Sequence, residues 1–108
     1  MSDFADTPQP PYYAVIFAST MTGNEALAYA EAADRMQALA QQQDGFLGVE
    51  SAREDIGITV SYWRDEAAIK AWKQQIDHVQ VREQGRAKWY GSYSLRIAKV
   101  ERAYTWQV

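Results

Sequence analysis

Two segments of this chain are apolar on both of their faces, and no other feature limits its possible folds as strongly. Tyr12 to Ser19 reads YYAVIFAS, and Ile58 to Arg64 reads ITVSYWR. Both are rich in β-branched and aromatic residues, the usual material of strands. Successive side chains of a strand point to opposite faces of its sheet. In the first segment Tyr13, Val15 and Phe17 therefore share one face, and Tyr12, Ile16 and two alanines share the other. In the second, Ile58, Val60 and Tyr62 oppose Thr59, Ser61 and Trp63. A monomeric antiparallel sheet normally turns one polar face to water. Here one face calls for helices and the other for a further layer. The economical layer is a second copy of the chain, so a homodimer packed through the helix-free sheet face is expected.

The rest of the chain supplies the helices. Residues 1 to 11 carry Pro8, Pro10 and Pro11 and read as a flexible leader, which leaves 12–108 as a single domain. Thr22 to Glu25 (TGNE) has the spacing of a capping box, and a helix is expected from there to about Gln43, with Tyr29, Ala33, Met36 and Ala40 on one face. Gly45 stops it. Phe46 to Ala52 reads as the second strand and Arg53 to Gly57 as the turn into the third. Asp65 can cap a short helix carrying Ile69, Trp72 and Ile76. Asp77 to Gln80 (DHVQ) repeats the capping-box spacing, so a new helical segment is expected there, running to about Tyr90 and ending at Gly91. Ser94 to Tyr104 is then the last strand. The order β-α-β-β-α-β is that of an α+β ferredoxin-like plait, with its second helix in two pieces.

Composition removes several function classes. The 108 residues include no Cys, which excludes a disulfide framework, a thiolate metal site and a Cys nucleophile. A single His gives little support to an imidazole-built metal centre. Eleven basic against fourteen acidic residues leave a net charge of −3, which removes any strong electrostatic footprint for nucleic acid or an anionic membrane. There is no Gly-rich phosphate loop, no Ser–His–Asp order and no basic-aromatic RNA motif. The longest apolar run, Tyr12 to Ala18, is too short to span a bilayer, and the first residues lack the basic and apolar regions of a secretory signal. A cytoplasmic protein is the expectation.

Three stretches then carry a resemblance. GFLGVESAR, SYWRDEAAIKAWKQQIDH and QGRAKWYGSYSLRIAKVERAY occur in that order, and together they resemble the antibiotic biosynthesis monooxygenase family, in particular its branch of small bacterial proteins. The resemblance covers about Tyr13 to Tyr104. It implies a dimeric α+β barrel with a pocket between helices and sheet, in agreement with the two-faced strands. Members of that family include cofactor-free oxygenases of polycyclic phenols and haem-degrading monooxygenases. Both groups tend to use an Asn on the first strand, whereas the only Asn of this chain is Asn24, and YYAVIFAS offers none. The haem degraders place an axial His near where this chain has Arg82. Haem degradation is therefore disfavoured.

Within that frame the candidate site residues can be named. His78 is the candidate general base for a phenolic proton, against the plainer reading of a helix-start His bonded to solvent. Arg82 and Arg86 follow it at four-residue steps and so share its helix face, suited to holding an anionic oxygen or forming a solvated stripe paired with acids such as Glu83. Trp63, Trp72, Trp89, Tyr62 and Tyr90 form an aromatic set, read either as core or as the walls of a pocket for a flat ligand. The expected function is a cofactor-independent monooxygenase-like protein for a small aromatic or polyketide-like molecule. His78 would act as base, Arg86 or Tyr62 would steady the anion, and no metal or flavin would be needed. The alternative is a non-catalytic binding or stress-response dimer of the same fold.

Overall fold

The structure is a computed structural model that describes residues 4–21, 34, 37–82 and 90–108. Its strands are β1 (Tyr12–Met21), β2 (Phe46–Arg53), β3 (Gly57–Trp63) and β4 (Tyr90–Val100). They form one antiparallel sheet in the order β2-β3-β1-β4. Residues 37–41 are the described end of a first helix, α1, and Glu66–Arg82 is the second, α2. This is the ferredoxin-like α+β arrangement. No helix among the described residues is long and apolar enough to cross a membrane.

The register decides which residues share a face. Tyr13 stands opposite Trp63, and Val15 opposite Ser61. Trp63 is fully buried, and with Val15, Ala40, Ala68, Ile69 and Trp72 it makes the core between sheet and helices. Phe46, Leu39 and Tyr13 pack against that cluster. The indole rings of Trp63 and Trp72 stack with centroids 5.8 Å apart, and Phe46 meets Trp63 edge-on at 5.4 Å. The Trp63 indole N–H donates to Ser61 Oγ at 2.9 Å, so the buried ring leaves no polar atom unpaired.

Both ends of the α1–β2 connection follow from local chemistry. Gln42 and Gln43 donate to the carbonyls of Leu39 and Ala40, three residues back, which tightens the last turn of α1. Gly45 then takes φ of +87°, a left-handed conformation that glycine adopts without strain. A Cβ there would lie 2.6 Å from Ala68 Cβ, so the same glycine also lets the first turn of α2 approach. Asp65 caps α2 as expected, its Oδ1 accepting from the Ala68 amide at 2.8 Å.

Three expected boundaries are corrected. The second helix does not break at Asp77: α2 runs unbroken from Glu66 to Arg82. The stretch contains neither Gly nor Pro and is filled with Ala, Lys and Gln, so propensity carries the helix through a cap-like spacing that does not act as a cap. Tyr90 and Gly91 do not end that helix. They open β4, whose first residue pairs with Met21 because β1 extends two residues past Ser19. β4 stops at Val100 rather than Tyr104. Val100 pairs with Tyr12, the first residue of β1, and the two prolines before Tyr12 have no amide to offer. The TGNE capping box, most of the first helix, Gly85, Arg86 and Trp89 lie outside the described residues, as do the side chains of His78, Arg82 and Tyr90.

Candidate functional site

The aromatic residues fall into two groups on opposite sides of the sheet. On the helix side, Trp63 and Trp72 are 0 % and 8 % exposed, stacked and enclosed. They form core rather than an open wall. On the helix-free side stand Tyr12, Tyr62 and Glu50. Tyr62 pairs with Ala14 and Gly48, so its parity is opposite to that of Trp63. Its hydroxyl donates to Glu50 Oε1 at 2.6 Å, and its ring meets Tyr12 edge-on at 5.7 Å. Burial raises the Tyr62 phenol well above its ordinary range, and the hydrogen bond to the Glu50 carboxylate adds to the rise. The phenol therefore keeps its proton, and that proton is committed to Glu50.

Around this pair the two ends of the chain come together. The Ala5 amide donates to Glu50 Oε2 at 2.9 Å, and Thr7 Oγ1 shares a hydrogen bond of 2.9 Å with the Tyr12 hydroxyl. Gly48 makes room for this leader, since a Cβ there would lie 2.8 Å from Ala5 Cβ. From the other side, residues 103–106 of the C-terminal segment border an open cavity of about 420 Å³ over Tyr12, Glu50 and Tyr62. Sequence reasoning did not find this cavity. Its signals were a Pro-rich leader and an aromatic tail, and neither announces which surface it will cover.

Of the expected site residues, Trp63 and Trp72 come together, whereas Tyr62 lies on the opposite face from both. His78 and Arg82 occupy the last turns of α2, one helical turn apart. The His78 backbone sits inside a continuous helix, so it is not the helix start that the DHVQ spacing suggested. It follows Ile69 by nine residues, about two and a half turns at 3.6 residues per turn. Its Cα therefore lies on the side of α2 opposite to that of the buried Ile69.

A four-stranded antiparallel sheet in the order β2-β3-β1-β4 with helices on one face is the ferredoxin-like class of small α+β domain. The chain belongs to the antibiotic biosynthesis monooxygenase family, whose profile matches residues 11–84. An uncharacterized protein of Bacillus subtilis (strain 168), YqjZ, is 51 % identical over 110 residues, spanning 99 % of this chain and 96 % of that one. SnoaB, a cofactor-independent oxygenase from Streptomyces nogalater, shares the fold at 17 % identity, with a TM-score of 0.69 over 85 % of this chain and 95 % of its own. The heme-degrading protein Rv3592 from Mycobacterium tuberculosis is 22 % identical, with a TM-score of 0.55 over 89 % of this chain and 99 % of its own. One fold thus accommodates both chemistries, and the choice between them belongs to side chains.

Proposed function

We propose that the protein is a homodimer that binds a small aromatic or polyketide-like molecule and acts on it as a cofactor-independent monooxygenase. Membership of the family carries this reading, since the profile spans residues 11–84. In the reaction, a base removes the acidic proton of an electron-rich phenol or enol. The anion passes electrons to O₂, and a carbon–oxygen bond forms to give a peroxide. Loss of water breaks the O–O bond and leaves a carbonyl on the substrate. One oxygen atom ends in the product and the other in water, and the substrate itself supplies every electron. His78 is the candidate base and Arg86 the candidate partner for the anion, with Arg82, Trp89 and Tyr90 as further candidates for ligand contact. Tyr62 is left out of this set because its hydroxyl is already given to Glu50.

A specific observation favours the second reading, a non-catalytic binding dimer. The indoles of Trp63 and Trp72 fill the core, and at about 100° per residue the His78 Cα stands about 120° around α2 from Trp72 and about 180° from Ile69, off the face that carries them. Oxygen uptake with an anthrone-type polycyclic phenol separates the two readings. An oxygenase consumes one O₂ per substrate, and His78→Ala abolishes turnover while the circular dichroism stays that of the parent. Saturable binding without uptake, or uptake that survives His78→Ala, overturns the assignment of His78 as base.

A further inference from the structure

The cavity on the helix-free side has a composition unlike a pocket for a neutral phenol or an anion. Its lining includes Phe4 from the leader, Tyr12 and Tyr62 from one end of β1 and β3, and Tyr104 and Trp106 from the tail. Among the described residues, Glu50 is the one charged side chain that lines it, and no Lys, Arg or His does. Two donors, the Tyr62 hydroxyl and the Ala5 amide, each engage one carboxylate oxygen and fix its orientation. A carboxylate offers about four lone-pair sites, so two donors leave acceptor capacity unused. Aromatic faces carry negative quadrupole density, which attracts a cation in the same place that the carboxylate does. At about 420 Å³ the space is within the range of small-molecule sites. The tail rings are 95 % and 76 % exposed at Tyr104 and Trp106, so they form a rim that a bound molecule would cover.

We infer that this cavity is a binding site for a small protonated organic amine, seated with its ammonium on Glu50 and its apolar body among the rings of Tyr12, Tyr62, Tyr104 and Trp106. A carboxylate with free lone pairs favours an ammonium carrying N–H over a quaternary one, because only the former donates hydrogen bonds to it. The site lies across the sheet from Trp63 and Trp72 and does not depend on the oxygenase reading.

Calorimetric titration of the full chain with 2-phenylethylammonium tests the inference, with neutral 2-phenylethanol as a same-shape control. The amine is expected to bind saturably and more tightly than the alcohol by roughly tenfold. Glu50→Gln keeps one oxygen to accept from Tyr62 or Ala5 and puts an NH2 donor in place of the other, so that preference should disappear, with circular dichroism showing that the fold persists. Trp106→Ala is expected to weaken both probes. His78→Ala should leave amine binding unchanged, which separates this result from any failure of the oxygenase reading. Equal binding of alcohol and amine, undiminished selectivity in Glu50→Gln, or no amine binding would each overturn the inference. Binding that appears only when a dimer is dissociated would overturn it too, by assigning the cavity to a second copy of the chain.

Discussion

At the scale of single residues, Gly45 holds two constraints at once. Its φ of +87° is one that an L-residue adopts only with strain, and its missing Cβ leaves the gap through which Ala68 approaches. Gly45→Ala is therefore expected to cost roughly 1–3 kcal/mol from the backbone alone, with the collision against Ala68 added. A urea titration checks this, and an unchanged midpoint would show that α1 and α2 can part without loss. Trp63 is the counterpart in the core, where its ring touches Phe46 on one side and Trp72 on another. Such residues were legible from sequence because parity and period are simple. ITVSYWR puts Trp63 opposite Tyr62 whatever else the chain does, and the i, i+3 spacing of Ile69 and Trp72 marks one face of a helix. The Tyr62–Glu50 bond was not legible. It depends on β2 lying beside β3 and on a bulge between Phe46 and Gly48 that sets which β2 residues face Tyr62.

At the scale of elements, the first turn of α2 is fastened by charge. Asp65 accepts from the Ala68 amide and from Arg64, and Arg64 also makes a two-pronged contact with Asp44 at 3.1 and 3.0 Å. The Ala68 amide, helped by Arg64, holds the Asp65 carboxyl below its ordinary value of 3.8, and Arg64 does the same for Asp44. A carboxyl depressed in the folded state adds stability above its ordinary value, and that stability is lost as pH falls through the lower folded value. Melting temperature should therefore drop on acidification below about 4. Asp65→Ala should lower it at neutral pH and flatten the acid slope. Asp44→Asn should matter less, because that bridge is solvent-exposed and strongly screened. Thermal melts from pH 7 to 2 check all three. An equal effect of the two substitutions would mean that Asp65 does not act as the cap. The cap was readable as a sequence signal. The continuity of α2 and the early start of β4 were not, since DHVQ looks the same inside a helix as at its start. Gly91 ends no helix here, because Met21 and Thr20 offer a strand to pair with.

At the scale of the whole molecule, the helix-free face presents Ile16, Val60 and Ile58 alongside the Tyr12–Tyr62 pair, and Ile58 is 46 % exposed. That face is the one proposed to meet a second copy. An isoleucine so exposed in one chain tolerates a charge without unfolding it, so Ile58→Glu should leave thermal stability of the single chain nearly unchanged and shift sedimentation from dimer to monomer. A parent protein that sediments as a monomer would remove the proposed interface outright. The leader and tail border the same face, so the dimer and the Glu50 cavity are neighbours, and their measurements should be made on the same preparations.

The contact between the two layers also carries an optical signature. Two indoles stacked at 5.8 Å, one fixed to the sheet and one to α2, have coupled electronic transitions. Coupled transitions of this kind give circular dichroism a paired positive and negative lobe that isolated indoles lack. Lifting α2 away would separate the two chromophores even while the strands remain hydrogen-bonded. Loss of the paired lobes ahead of the strand signal would time the parting of the layers, with no probe added.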